Sequence, residues 1–138
     1  MPAKDIYHVC VKNALTKEGW TITHDPLRLS AGTKDMYVDF GMERVLAAEK
    51  AEQKIAIEVK SFVGDSQIDD LEKAVGQYVI YRAVLAEKEQ ERILYLAVPQ
   101  NIIQDIFEQP LGKILLKHNL AQVIGFDPQK EIIKQWIL

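Results

Sequence analysis

Glu58 and Lys60, two apart in the run IAIEVKSF (residues 55–62), are the first residues in this chain whose types and spacing could do chemistry. Ile55, Ile57 and Val59 alternate with Ala56, Glu58 and Lys60, the period of two that marks a strand with two distinct faces. Side chains two apart on a strand point the same way, separated by roughly 6.5–7 Å of backbone. A carboxylate beside an ammonium, on a strand whose other face is aliphatic, suits a metal-ion site that activates water. The plainer alternative is the solvated face of a half-buried edge strand, because E-x-K is a short and common pattern.

Further acids lie upstream, and one of them must join Glu58 if a cation is to be held by two carboxylates. Asp39, Glu43 and Glu49 all sit on the segment before the strand. His8, on the first helix, could line a site; a hydrogen-bonded structural histidine is its ordinary reading. Gln77, in GQY, lies beside the apolar stripe of a later helix, either near the site or simply solvated. His8, His24 and His118 are too scattered for a zinc site.

The elements that must position these residues follow from periodicity. Residues 4–18 read as a helix, with Ile6, Val9, Cys10 and Ala14 on its apolar face and Gly19 to stop it. Residues 20–23 are β-prone, His24-Asp25-Pro26 breaks the chain, and residues 30–34 read as a surface loop. MYVDF reads as a strand, and Gly41 then allows a bend or bulge. Residues 44–50 continue as strand in preference to helix, and residues 51–53 read as a hairpin connection into the E-x-K strand. Ser66 caps a helix running to about Lys88, with a stripe of Ile68, Leu71, Val75, Tyr78 and Val79. ILYLAV is short and apolar enough for a buried strand. Two short helices, a strand over residues 121–126, a turn, and a last strand or short helix complete the chain. Three meandering strands, a helix and an inner strand predict an α/β (α+β) fold with a central mixed sheet flanked by helices.

The 138 residues fit one domain spanning 1–138. No run of 18 apolar residues offers a membrane span, no apolar signal segment is present, and a single cysteine excludes an internal disulfide framework. A cytoplasmic setting is the expectation. The net charge of −3 argues against a protein that coats nucleic acid on its own. Contacts to DNA phosphates would have to be local or shared with a partner.

The element order, with an acid upstream of E-x-K, resembles the PD-(D/E)xK nuclease superfamily and its restriction-endonuclease-like core. KDIYHVCVKNAL, GWTITHDP, DFGMERVLAAEK, IAIEVKSF and DLEKAVGQY together resemble the XisH family, in the family's order and over most of the first 80 residues. That family is named for a factor controlling excision of the fdxN element in cyanobacteria. The resemblance implies a role in site-specific DNA rearrangement, with DNA, a site-specific recombinase and other excision factors as partners. It also implies Mg²⁺ or Mn²⁺ held by Asp39, the first choice over its rivals Glu43 and Glu49, with Glu58 and the carbonyl of Val59; Lys60 would position or activate water, Gln77 would stand close by, and Asp5 or His8 could supply a further acid or base. Homodimers are common in this superfamily, since two strands must be cut. One departure stands out: the residue before Asp39 is Val38, where the superfamily pattern has proline. Three readings follow: a divalent-metal-dependent endonuclease, an inactive accessory factor that keeps the fold, or a surface ion pair of no chemical consequence.

Overall fold

A computed structural model of the chain describes residues 5–46 and 51–137. Its elements run α1 (His8–Lys17), β1 (Thr21–His24), β2 (Leu27–Ala31), β3 (Lys34–Val38), β4 (Phe40–Leu46), β5 (Ala51–Val59), α2 (Gln67–Lys88), β6 (Arg92–Pro99), α3 (Gln100–Ile102), a π-helical turn (Ile103–Phe107), α4 (Pro110–Lys117), β7 (Val123–Asp127) and β8 (Ile132–Ile137). Six strands form one sheet in the order β1-β4-β5-β6-β7-β8. The β5–β6 and β6–β7 pairs are parallel and the others antiparallel. This is the mixed, helix-flanked α/β (α+β) sheet that the element order predicts.

The alternation of β5 sorts its side chains into two cores. Ile55, Ile57 and Val59 pack with Phe40, Tyr95, Ile124 and Phe126 beneath α1. Ala56, on the opposite face, packs with Leu94, Leu96 and Val98 beneath α2. The E-x-K strand is therefore an interior strand covered on both faces, not a solvated edge.

Helix α2 starts as its sequence dictates. The Ser66 hydroxyl accepts from the Asp69 N–H at 3.2 Å, and Asp69 and Asp70 sit in the positive first turn. Leu71, Ala74, Tyr78 and Leu85 form its buried stripe, while Ile68 is exposed. Helix α1 is rotated from its expected setting. Ile6 and Val9 face solvent, and His8, Cys10, Val11, Ala14 and Leu15 are buried. A histidine at the centre of the inward face had disguised that face as polar.

Three further expectations are corrected. Residues 30–34 are not a loop: they carry the tight turn of the β2–β3 hairpin, a separate two-stranded sheet. Gly32, with φ +62, supplies the left-handed conformation that this turn needs. Residues 51–53 belong to β5, with Ala51 opposite Leu46, and are not the connection. The chain breaks at Asp39, between β3 and β4, rather than at Gly41. Gly41 lies inside β4, where a Cβ would come within 2.8 Å of the His24 ring and 3.2 Å of the Arg92 guanidinium. Glycine there permits close packing, and the β1–β4 register shifts beside it, between Ile22 and His24.

Candidate active site

Asp39 sits where the chain crosses from the small sheet into the large one, beside the C-terminal end of β5. Two reciprocal hydrogen bonds fix it there. The Asp39 N–H donates to Glu58 Oε1 at 3.2 Å, and Asp39 Oδ2 accepts from the Val59 N–H at 2.8 Å. The second bond also orients Val59. In an extended strand a residue's N–H and C=O face the same edge, so the Val59 carbonyl lies on the Asp39 side. The next N–H, that of Lys60, bonds Ala97 on the opposite side at 2.9 Å.

Glu58 and Lys60 do point the same way: Lys60 Nζ lies 3.4 Å from Glu58 Oε2. Glu58 is only 6% exposed, which rules out an ordinary surface ion pair. Burial, then the charge of neighbouring Asp39, pushes the Glu58 carboxyl up to about 8; Lys60 and the Asp39 N–H pull the other way. Two acids held together in a buried place create a demand for positive charge, and one lysine meets it only in part.

Helix α2 closes the cleft. Gln77 and Tyr81, one helical turn apart, line it together with Asp39, Glu58 and Lys60, around a volume of about 370 Å³. The Gln77 Oε1 atom is buried and, among the described residues, has no hydrogen-bond donor. Tyr81 was not anticipated from the sequence, although its spacing of four from Gln77 places both on one helix face. Burial and then the charges of Glu58 and Asp39 raise its phenol. Asp5 stands at the rim, accepting from the Ser61 N–H at 2.9 Å.

His8 is connected to the acids from behind. Its Nε2 lies 3.1 Å from Asp25 Oδ1, and its Nδ1 lies 3.5 Å from Asp39 Oδ1 without a formed hydrogen bond. Its ring rests on Phe40, with centroids 4.2 Å apart. Asp25, whose sequence context reads only as a turn, thus becomes part of the support behind Asp39.

Glu43 is not brought to the cleft. It lies opposite Lys54 on β5 and pairs with Arg92 at 3.4 Å. Arg92 is buried and also donates to the Ile55 carbonyl at 3.0 Å and to Glu89 at 2.8 Å. Glu43 and Arg92 therefore serve the fold. Arg92→Met should cost about 3 kcal/mol, or roughly 10 °C in Tm, by stranding buried carbonyls. Glu43→Gln should leave divalent-metal affinity unchanged; thermal melts and calorimetry read the two effects. Glu49 lies outside the described residues.

The donor set fits a hard divalent cation. It consists of the Asp39 and Glu58 carboxylates with the Val59 carbonyl, all oxygen, and Gln77 lines the same cleft. Among the described residues, no group of three or more His, Cys, Asp or Glu side chains is arranged to hold an ion. Such a cage is what a softer metal would require. Mg²⁺ and Mn²⁺ keep several waters and need only one or two carboxylates.

The fold has counterparts among solved structures. Residues 1–134 match the family model described as XisH protein, and the chain belongs to that family. A crystal structure of an XisH family protein from Nostoc punctiforme is similar at 38% identity and a TM-score of 0.86, covering 97% of this chain and all of that one. A second, of a fdxN element excision controlling factor protein from Anabaena variabilis, is also 38% identical with a TM-score of 0.86, covering 98% of this chain and all of that one. No curated protein matches the chain significantly.

Proposed function

We propose that this chain takes part in controlling the excision of a DNA element, as the name of its Anabaena variabilis relative says of that protein, and that it acts there as a divalent-metal-dependent endonuclease. The observation that carries this reading is the buried pair Asp39–Glu58, cross-bonded through the backbone with Lys60 3.4 Å from Glu58. A scaffold gains nothing from two acids forced together in a cleft, since the arrangement costs stability.

Asp39, Glu58 and the Val59 carbonyl would hold Mg²⁺ or Mn²⁺. Once bound, the cation would polarise the scissile phosphate and lower the pKa of a water. The chain's own residues do the rest. Lys60 places positive charge where negative charge grows on the phosphate. Gln77, which lines the same cleft, would help to orient that water through its side-chain amide. His8, braced by Asp25, limits the swing of Asp39 away from Glu58. The partner is DNA, in the cytoplasm; a site-specific recombinase and a second copy of the chain are the companions this role calls for. Among the described residues, no helix is long and apolar enough to cross a membrane.

The accessory-factor reading draws on the net charge of −3, which disfavours strong binding to DNA by this chain alone. A cleavage assay separates the two. With Mg²⁺ or Mn²⁺, wild-type protein should nick linear or branched DNA, chelation should stop it, and Asp39→Asn should lower the rate at least about a hundredfold. Cleavage that survives Asp39→Asn would assign the activity elsewhere, and no cleavage of any substrate would favour the accessory role.

A further inference from the structure

Tyr37 and Tyr81 stand in the cleft with the Asp39–Glu58 pair, one supplied by β3 and the other by α2. Both are half-buried, and among the described residues neither has an aromatic partner, unlike Tyr7, Tyr95, Trp20 and Trp136. Asp35 and Tyr37 alternate on one face of β3, so the hairpin carries Tyr37 to the mouth of the cleft. Tyr81 is held four residues beyond Gln77 on a 22-residue helix. Both rings are therefore placed by rigid elements.

The charge around them is the other half of the argument. Asp5, Asp35, Asp39 and Glu58 line the cleft, and Lys60 is the cation among its lining residues. Asp35 is held at the surface by Arg28 at 2.9 Å, which consumes a nearby positive charge. A duplex is gripped by neutralising phosphates on both strands, which needs a basic track. Base stacking on an aromatic ring adds binding energy that is indifferent to sequence, leaving Lys60 and a bound cation to meet the backbone of a single strand. A cleft of about 370 Å³ has room for a nucleotide rather than for a paired helix.

We propose that the cleft takes an unpaired DNA strand, with Tyr37 and Tyr81 as the walls on which bases beside the scissile phosphate stack. This rests on the endonuclease reading above and names its substrate class. Tyr37 and Tyr81 bind and align the strand; the acids and Lys60 act on its backbone.

The test is fluorescence anisotropy of one labelled oligonucleotide, unpaired and annealed to its complement, with Ca²⁺ present to allow binding without turnover. Wild type should bind the unpaired strand at least about tenfold more tightly. Tyr37→Leu and Tyr81→Leu, which keep apolar bulk and therefore the fold, should weaken binding by about five- to a hundredfold each. Tyr37→Phe and Tyr81→Phe, which keep the ring, should bind like wild type. Equal or tighter binding of duplex, unaltered binding by the Leu variants, or no binding of the unpaired strand would each overturn the proposal. Mn²⁺ titration of the same samples keeps the two claims apart. Metal binding without strand selectivity defeats this inference alone, whereas strand binding without metal binding defeats the endonuclease reading alone.

Discussion

Replacing Glu58 with glutamine is expected to lower metal-dependent cleavage by at least about 10²–10³-fold while making the metal-free protein more stable at pH 8. The two effects have one cause. Burial and the neighbouring Asp39 charge raise the Glu58 carboxyl to about 8, against an ordinary value of 4.5. Between these limits the folded protein holds a proton that the unfolded chain has released. Stability without metal therefore falls as pH rises from about 4.5 through 8, by on the order of 3–5 kcal/mol, and then levels. Glutamine cannot ionise, yet its carbonyl can still accept the Asp39 N–H. Glu58→Gln should remove most of this slope, matching wild type near pH 4.5 and exceeding it by about 10 °C in Tm at pH 8. Added Mn²⁺ should close that gap by stabilising wild type alone. Melts at pH 4.5 and 8, with and without Mn²⁺, read this directly. A wild type as stable at pH 8 as at pH 4.5 would mean that Glu58 carries no such burden.

Lys60→Met is the second large effect. Its ammonium, 3.4 Å from Glu58, shares the cleft with both acids. Methionine keeps the length and loses the charge, so the growing charge on a phosphate would go unmatched. The cleavage rate should drop about 10²–10³-fold with little change in KM. Mn²⁺ affinity should hold or rise slightly, since a competing cation has left the carboxylates. Single-turnover rates and calorimetry test the split. Lost metal binding in Lys60→Met would make the lysine a structural counter-ion instead.

The E-x-K pair was legible because strand alternation is strict: period two alone places Glu58 and Lys60 together and Ile57 and Val59 opposite. Sequence did not reveal that the strand is interior, since its polar face reads the same on an edge. Asp39 could be chosen over Glu43 only loosely, because which acid faces Glu58 depends on register. With Phe40 opposite Ile57 and Glu43 opposite Lys54, the register sends the two acids to different places. The β2–β3 hairpin was hidden by its turn: Ser30, Gly32 and Thr33 read as loop, although Leu27 and Leu29 alternate as a strand requires. Helix α1 misled because its inward face centres on His8, a polar residue engaged with Asp25 and Asp39. Local pattern and tertiary placement disagree most around this cleft, where polar side chains are buried.

The most direct test of the account is a calorimetric Mn²⁺ titration of wild type, Asp39→Asn and Glu58→Gln, each checked for folding. The account predicts a binding isotherm for wild type that both substitutions abolish, with the ion held between these two carboxylates. A wild type that binds no Mn²⁺, or a Glu58→Gln variant that binds it as wild type does, would contradict the claim that this cleft is a metal-dependent site.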